Sequence, residues 1–584
     1  MNQLFSQNPR SAAMAQARQL LEQAVNAAME KGDLPQTTLP DFIVEVPGDN
    51  RNGDIASNLA LAGAKAFRCA PRKVADAIAA NLPSLEGTLF EKVEIAGPGF
   101  INLFLSQGYF ADVVRAAVSC EQYGRTSYGE GKKINVEFVS ANPTGPMHLG
   151  NARGGALGDC LAAVLDWAGY DVTREFLIND AGNQIVKFGK SLAARYLQHF
   201  KGEDAVPFPE DGYQGEDIKV RAAQFAEEVG DKYVNASAEE LQQAITAFAL
   251  PKNVQGLKDD LGKYRIAYDV WFSETTLHNS GAVKAVVDKL TEMGATYEKD
   301  GAIWYRSSQY SAKYGVNKKK NEDGEEEEKD EVLVRANGIP TYFAADIAYH
   351  YNKFAVRGFD RAIDVWGADH HGHVARMKGA LDAIGLDGEK LDVVLMQLVR
   401  LVRDGEPVRM SKRTGKAITL TDLLDEVPID SARFLFNMRE PSSQMEFDLD
   451  LALSQDNENP VYYVQYAHAR ICSILKKMAE EGVEFKGIEN CHTELLTEPA
   501  ERELIRHIGN FAEEIISAAK NYDPARITRY VVDLATLYHK FYNACRVKDA
   551  EADLCQARMA LCLAVKNIIC SVLNMFKITI PETM

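Results

Sequence analysis

The sequence predicts a multidomain α/β protein: an N-terminal α+β module, a doubly wound parallel-sheet core with a helical insertion, and a C-terminal all-α bundle. Three observations carry that expectation. The chain has 584 residues, enough for three to five domains at roughly 100–200 residues each. Between Lys133 and Ile178 it runs strand, turn, helix, strand at the spacing of one βαβ unit. From Pro460 onward nearly every segment has helical period. The expected boundaries are 1–115, 116–453 with an insertion at about 186–330, and 454–584.

The N-terminal module begins with the 3.6-residue apolar period of Ser11 to Lys31, ended by Gly32. A short extended run, Phe42 to Val46, precedes helical segments at Ile55 to Phe67 and Lys73 to Asn81. Val93 to Phe104 then reads as two strands joined by the turn Gly97-Pro98-Gly99. In the core, Ile134 to Val139 is a short apolar strand, and small residues from Gly150 to Gly158 open an apolar helix. Tyr170 to Ile178 is a strand again. Residues 185–300 are mostly helical and polar, and Lys318 to Asp330 contains no apolar residue, the signature of a solvated loop. Val332 to Val334, Ala362 to Trp366 and Val393 to Val402 are the strands expected to complete the doubly wound sheet, with helices at 341–357 and 374–384.

Hydrophobic residues make up 46% and charged residues 25%, ordinary globular usage that excludes disorder, collagen and coiled coil. A net charge of −18 excludes a sequence-blind polycation, so any nucleic-acid partner must meet a local patch. Residues 1–110 carry net −2 and 454–584 net −3, leaving −13 in the middle, so the ends suit a polyanion better. The nine cysteines contain no C-x-x-C pair and sit mostly in apolar helical patterns, which reads as reduced, core-filling cysteine. No metal site is expected from them. Without an apolar run of about 18 residues or a targeting leader, a cytoplasmic protein away from membranes is the expectation.

Two segments carry chemistry. Pro146 to Gly155 (PMHLGNARGG) follows a strand and opens a helix, so backbone N–H groups at the helix terminus, close approach at glycine, and donors from His148 and Asn151 suit a phosphate. About 260 residues later, Val408 to Gly415 (VRMSKRTG) is a basic loop whose lysine suits a leaving pyrophosphate. Either alone is weak, since a lone H-x-G arises by chance and a basic loop is usually solvated surface. Their pairing in this order is far more specific.

Together these segments resemble the HIGH and KMSKS signatures of class I aminoacyl-tRNA synthetases. The sequence is more specifically similar to arginyl-tRNA synthetases over nearly its whole length, through Gly97–Asn102, Val136–Pro146, Asn179–Ile185, Tyr268–Glu274, Trp366–His373 and Asn459–Arg470. The resemblance implies a Rossmann-type core and ATP-dependent ligation of L-arginine to its tRNA through an arginyl-adenylate, with transfer to the 2′-hydroxyl of the terminal adenosine. It also implies that activation needs bound tRNA. His148, Asn151 and Lys412 are then the catalytic set. His148, Gly150, Asn151, Gly367, Asp369, Met410, Ser411 and Lys412 bind ATP, with Mg²⁺ accompanying it.

The resemblance places the arginine at Glu137, Ser140, Asn142, Tyr342, Asp346 and His370, with Glu137 and Asp346 flanking a guanidinium that wants planar carboxylate partners. Tyr342 lies four residues before Asp346, on the same helical face. Asn58, Tyr463, Tyr466, Arg470, Tyr542 and Arg546 are the expected tRNA contacts, with Tyr538 beside the last two and Gly53 and Asp54 beside the first. Unpaired bases stack on such aromatic and guanidinium faces. Two departures are visible. Asn151 stands where the signature has its second histidine, keeping a donor without a titratable ring. Gly145 stands where many arginyl enzymes carry a lysine, so Lys412 is expected to supply the phosphate charge alone. A monomer is expected. The rival readings are a small-molecule nucleotidyltransferase, which would lack the last 130 or so helical residues, a non-catalytic tRNA-binding paralogue, and a cysteine or glutamate enzyme of the same class.

Overall fold

The computed structural model describes residues 3–315, 319–320, 326–327, 330–408 and 418–584. They form two compact units, one of Ser127–Gln455 with Tyr522–Ala525, the other of the N-terminal 126 residues with Asp456–Asn521 and Arg526–Met584.

The first unit is built on a five-stranded sheet: β1 (Lys133–Glu137), β2 (Asp171–Ile178), β3 (Val270–Ser273), β4 (Arg361–Gly367) and β5 (Leu391–Met396). The order is β5-β4-β1-β2-β3 and every pairing is parallel. The chain winds outward from β1 through β2 to β3, then restarts on the other side with β4 and β5. The carboxyl ends of β1 and β4 therefore flank a topological switch point, where open α/β sheets bind ligands. β1 is buried continuously from Ile134 to Glu137, as expected of a strand covered on both faces.

Helix α1 (Leu149–Trp167) covers that strand and is buried without a break from Ala152 to Leu165. Small residues permit it: a Cβ at Gly158 would stand 2.2 Å from the Phe138 ring. Inside this core Asp159 meets the Arg433 guanidinium at 2.5 Å, both side chains fully buried, and Arg433 also donates to the Tyr264 carbonyl at 2.9 Å.

Four expectations need correction. Val332 to Val334 is a strand, but it pairs with Ala302–Tyr305 in a separate antiparallel sheet. Val393 to Val402 divides into β5 and Val399–Arg403, the latter pairing with Glu406–Val408 and Met445–Asp448 in a third sheet. The stretch 186–330 is not one insertion, because β3 within it is the edge strand of the central sheet. Residues Ile55–Ser57 form a buried strand against Phe100–Leu105, and the helix starts only at Leu59. Each error has one cause: short apolar runs fit either period, and long-range pairing decides. The polar run at 318–330 lies mostly outside the described residues.

In the second unit a four-stranded antiparallel sheet, Val44–Glu45, Ile55–Ser57, Phe100–Leu105 and Phe90–Ala96 in spatial order, belongs to the N-terminal segment. Helix Gln107–Ser119 packs against Pro499–Gly509 and Ala552–Met575 of the C-terminal segment. Polar ties join the same segments: Arg506 Nε donates to Asp54 at 2.8 Å, Asn8 to Glu513 at 2.7 Å, and the Tyr123 hydroxyl to the Ile508 carbonyl at 3.2 Å. Ala552–Met575 is long and apolar enough on average to cross a membrane, but its apolar run is broken by polar residues and it is the buried core helix of this unit.

Replacing Arg433 with Met removes the nearer cation from the buried Asp159 carboxylate, which keeps Arg174 at 3.4 Å. Loss of one partner of a buried pair should lower stability by about 3–5 kcal/mol, read as a shift of the urea midpoint.

Candidate active site

A cavity of about 580 Å³ opens at the carboxyl ends of β1 and β4, and Glu137, Ser140, Tyr342, Asp346, Gly367, Asp369 and His370 all line it. Beyond Glu137 the backbone turns sharply, with Val139 at φ 70° and Ser140 at φ 39°. Left-handed geometry at a β-branched residue costs on the order of 1–3 kcal/mol and persists only where surroundings enforce it. The turn brings Ser140 Oγ within 2.9 Å of Glu137 Oε1 as donor, while the same oxygen accepts from Leu177 N–H at 3.1 Å. Asn179 donates to Asn142 at 3.1 Å beside it.

Register places Glu137 opposite Glu175 on β2 and opposite Asp364 on β4. Three buried carboxylates thus stand in one row across three strands. Like charges so placed repel, and a bare buried carboxylate is costly, so cations must lie against them. Lys353, itself fully buried, contacts Glu137 Oε2 at 2.7 Å and Asp364 Oδ1 at 2.8 Å. Arg357 pairs with Glu175, which also accepts from the Tyr349 hydroxyl. His350 Nε2 lies 2.7 Å from Asp364 Oδ2 and its Nδ1 lies 2.8 Å from the Asp346 carbonyl. Both partners only accept, so the ring donates from both nitrogens and is an imidazolium. Burial acts against the charge, but Asp364 outweighs it and raises the His350 pKa. Burial likewise pushes Asp364 up, yet Lys353 and His350 hold it down at about 2. Glu137 ends above the ordinary range, because burial outweighs the pull of Lys353.

Helix α2 (Tyr342–Tyr351) carries the other wall. Asp346 is more exposed than the buried row, and His373 Nε2 meets its carboxylate at 3.1 Å. The Tyr342 ring lies against Gly182, where a Cβ would approach it to 3.1 Å and where φ is +79°; the left-handed backbone there favours glycine. His370 and Asp369 project from the end of β4 with side chains 61% and 83% exposed, open to a ligand.

His148 caps α1. Gly150 N–H donates to His148 Nδ1 at 3.1 Å, so the ring proton resides on Nε2. Asn151 Oδ1 accepts from His148 N–H at 2.9 Å, completing a capping box. The departure from the family signature thus does structural duty, and its amide nitrogen is the remaining donor. Met410, Ser411 and Lys412 lie outside the described residues. The chain re-enters beside the cap: Thr419 forms a bridge with His148, and Leu420 N–H donates to the Met147 carbonyl at 2.9 Å.

In the other unit, Tyr463, Tyr466 and Arg470 cluster with His539 and Tyr542. The Arg470 guanidinium lies 4.3 Å over the Tyr542 ring, and the Tyr463 and Tyr466 rings stand 5.1 and 5.9 Å from His539. Burial and the Arg470 charge depress His539 to about 4. The expectation that Tyr538, Tyr542 and Arg546 share one exposed helix face fails. Tyr538 is fully buried core, and Arg546 lies beyond the helix, which ends at Ala544, where it pairs with Asp549 at 3.4 Å. Asn58 Oδ1 accepts from Ile43 N–H at 2.8 Å. Asp54 accepts from Leu105 N–H at 2.9 Å as well as from Arg506, so both hold the local fold.

Sequence reasoning missed Asp364, Glu175, Lys353, His350, Arg357 and His373. A lone Asp inside the apolar run Ala362 to Trp366 was the available signal, since a charge in a buried strand demands a partner. Among the described residues, no group of three or more His, Cys, Asp or Glu side chains is arranged to hold a metal.

A parallel sheet with its site at the switch point and a capped phosphate-type helix defines the class: residues 113–456 match the family described as tRNA synthetases class I (R), catalytic domain. Residues 15–105 match the arginyl tRNA synthetase N terminal domain, and 464–584 the DALR anticodon binding domain. The chain is 54% identical over 573 residues to an arginine–tRNA ligase of Caldanaerobacter subterraneus subsp. tengcongensis, covering 98% of this chain and 99% of that one. It is 51% identical over 578 residues to the arginine–tRNA ligase of Ruminiclostridium cellulolyticum, covering 99% and 100%. Among solved structures, a putative arginyl tRNA synthetase from Campylobacter jejuni superposes with a TM-score of 0.72 at 31% identity, over 82% of this chain and 100% of that one. The Thermus thermophilus arginyl-tRNA synthetase shares the fold, with a TM-score of 0.70 at 22% identity over 97% of this chain and 100% of that one. The chain belongs to the arginyl-tRNA synthetase family.

Partial desolvation lowers the His148 pKa below its usual 6.5. The unfolded chain then binds the proton more readily, so the cap's stabilisation is complete above pH 6.5 and is lost as pH falls. The expected outcome is an acid limb in kcat/KM below pH 6.5 with a flat region above it, and the loss of that limb in His148→Gln, measured by pH-rate profiles.

Proposed function

We propose an assignment of roles to the cavity residues within tRNA arginylation, the ATP-dependent ligation of arginine to tRNA through an adenylate, which is the reaction of this chain's family and of this chain. Glu137 and Asp346 receive the guanidinium, Tyr342 packs over the aliphatic stem, and Ser140, Asn142 and His370 hold the α-amino and α-carboxylate groups. The observation that supports this reading is that, of the four carboxylates lining one cavity, Asp364 is held by Lys353 and His350 and Asp369 is exposed beside His370, while Glu137 stands buried and Asp346 near the rim. A planar cation bearing five donors fits between such acceptors, whereas a neutral amino acid leaves them uncompensated.

A carboxylate nucleophile needs no general base. The arginine carboxylate attacks the α-phosphorus of ATP in line, and catalysis is positioning plus charge stabilisation. His148, through its Nε2 proton, and the Asn151 amide receive the developing phosphate charge at the positive end of α1, where Gly150 allows the phosphate a close approach. Lys412, with Met410 and Ser411, meets the leaving pyrophosphate. Gly367 and Asp369 receive the nucleoside. Mg²⁺ enters with ATP and shields its phosphates. Tyr463, Tyr466, Arg470 and Tyr542 are bases' stacking partners, with Arg546 and Asn58 as outer contacts. A monomer acting in the cytoplasm away from membranes completes the proposal, and it rests on the family resemblance.

Charging total tRNA with each amino acid in turn should yield product with arginine alone, with ATP–pyrophosphate exchange requiring tRNA; exchange with another amino acid overturns the substrate. Asp346→Ala should lower kcat/KM for arginine by about 2–4 kcal/mol, the loss of a charged hydrogen-bond partner, with little change in thermal midpoint. Tyr466→Ala should raise KM for tRNA by the worth of one stacked base, about 1–3 kcal/mol, and leave KM for arginine unchanged.

A further inference from the structure

Lys353 is a cation buried beneath a cavity that receives a cation, and no step of arginylation assigns it a role. Its ammonium is fully buried and divided between Glu137 Oε2 at 2.7 Å and Asp364 Oδ1 at 2.8 Å, with the Tyr349 ring 4.4 Å away. It follows α2 in a single widened π-helical turn, Asn352–Val356, a geometry frequent at functional sites. Tyr342, Asp346, Tyr349, His350 and Lys353 are spaced i, i+4, i+7, i+8 and i+11, the spacing of one helix face. That face is polar where a core helix would be apolar.

The charges beneath the cavity balance without the substrate. Glu137, Glu175 and Asp364 are offset by Lys353, Arg357 and the His350 imidazolium, while Asp346, which meets His373, and the exposed Asp369 stand nearer the rim. A carboxyl group in so dry a place, given no cation, takes a proton instead, and a protonated Glu137 no longer pairs with a guanidinium. Lys353 uses one oxygen of Glu137 and Ser140 the other; each oxygen has two lone pairs, so acceptor capacity remains. The same ammonium anchors Asp364, which holds His350, which holds the Asp346 carbonyl at 2.8 Å.

We propose that Lys353 is a positioning residue for arginine recognition: it keeps the Glu137 carboxylate ionised and fixed, and through Asp364 and His350 it sets Asp346 opposite. This rests on the roles proposed above for Glu137 and Asp346. The titratable groups around Glu137 are Lys353 from the widened turn, Asp364 from β4, His350 and Tyr349 from α2, and Tyr268, with Glu175 beyond, paired to Arg357.

The test uses full-length Lys353→Met, and Lys353→Met/Asp364→Asn, which removes one charge of each sign and so protects the fold. Arginylation is measured from pH 6.5 to 9, with the urea midpoint of each protein. Both variants should show a KM for arginine raised tenfold or more at pH 7 and falling as Glu137 ionises at higher pH, while KM for ATP and tRNA changes less than twofold. In the unaltered protein KM for arginine should be flat across that range. An unchanged KM for arginine, a rise shared equally by ATP, a pH-independent defect, or a sloping profile in the unaltered protein overturns the proposal. Glu137→Gln separates the two readings: if it leaves KM for arginine unchanged, the role of Glu137 fails, whereas if it raises KM and the lysine variants do not, only the role of Lys353 fails.

Discussion

A carboxylate buried in a dry cavity stays ionised only beside a cation, and in the proposed reading the catalytic unit is organised around that constraint. Parallel register sets Glu175, Glu137 and Asp364 side by side on adjacent strands, an arrangement no sheet tolerates without counter-charge. The helix above the sheet delivers the counter-charge from one face and the turn after it, and the residues nearest the solvent on that same face become the wall of the cavity. Support and recognition are therefore one object. The strained turn at Val139 and Ser140 serves the same end, since it is what lets a hydroxyl reach back to the Glu137 carboxylate.

The proposed phosphate end is built by different means. There the positive charge is mostly backbone: the first turn of a 19-residue helix, closed by a histidine and an asparagine that cap each other's main chain. A neutral imidazole suits this position. Protonation of Nδ1 would remove the acceptor that Gly150 N–H uses, so the cap and the charge state are the same fact. The bridge from His148 to Thr419 brings the segment after the second signature to the first, although about 270 residues separate them.

Much of this was legible in the chain. The βαβ unit from Lys133 to Ile178 and the helical tail were visible because each is long and strictly periodic. Family resemblance identified Glu137, Tyr342 and Asp346, and all three line one cavity. Short strands were not legible: Val332 to Val334 and Val270 to Ser273 have the same apolar look, yet one joins a peripheral sheet and the other the central one. Nothing local distinguishes them, because partner choice is a long-range property. The buried cations escaped for another reason. Lys353 and Arg357 follow a helix in a run whose charges look solvent-facing, and only the register of three distant strands reveals the charges they must answer. His539, likewise, becomes part of the aromatic cluster only when two helices far apart in sequence meet.

One feature of the second unit bears on how the protein is made. Helix Gln107–Ser119 is sheathed by Ala552–Met575 and Pro499–Gly509. A ribosome finishes the first of these elements long before it reaches the others. During that interval an apolar flank, including Phe110, Val113 and Val114, stays wet while the entire catalytic unit emerges and folds. Such nascent chains are prone to mispairing, so a ribosome stalled beyond the catalytic unit presents chaperones with a finished enzyme core still tethered to an unclosed half.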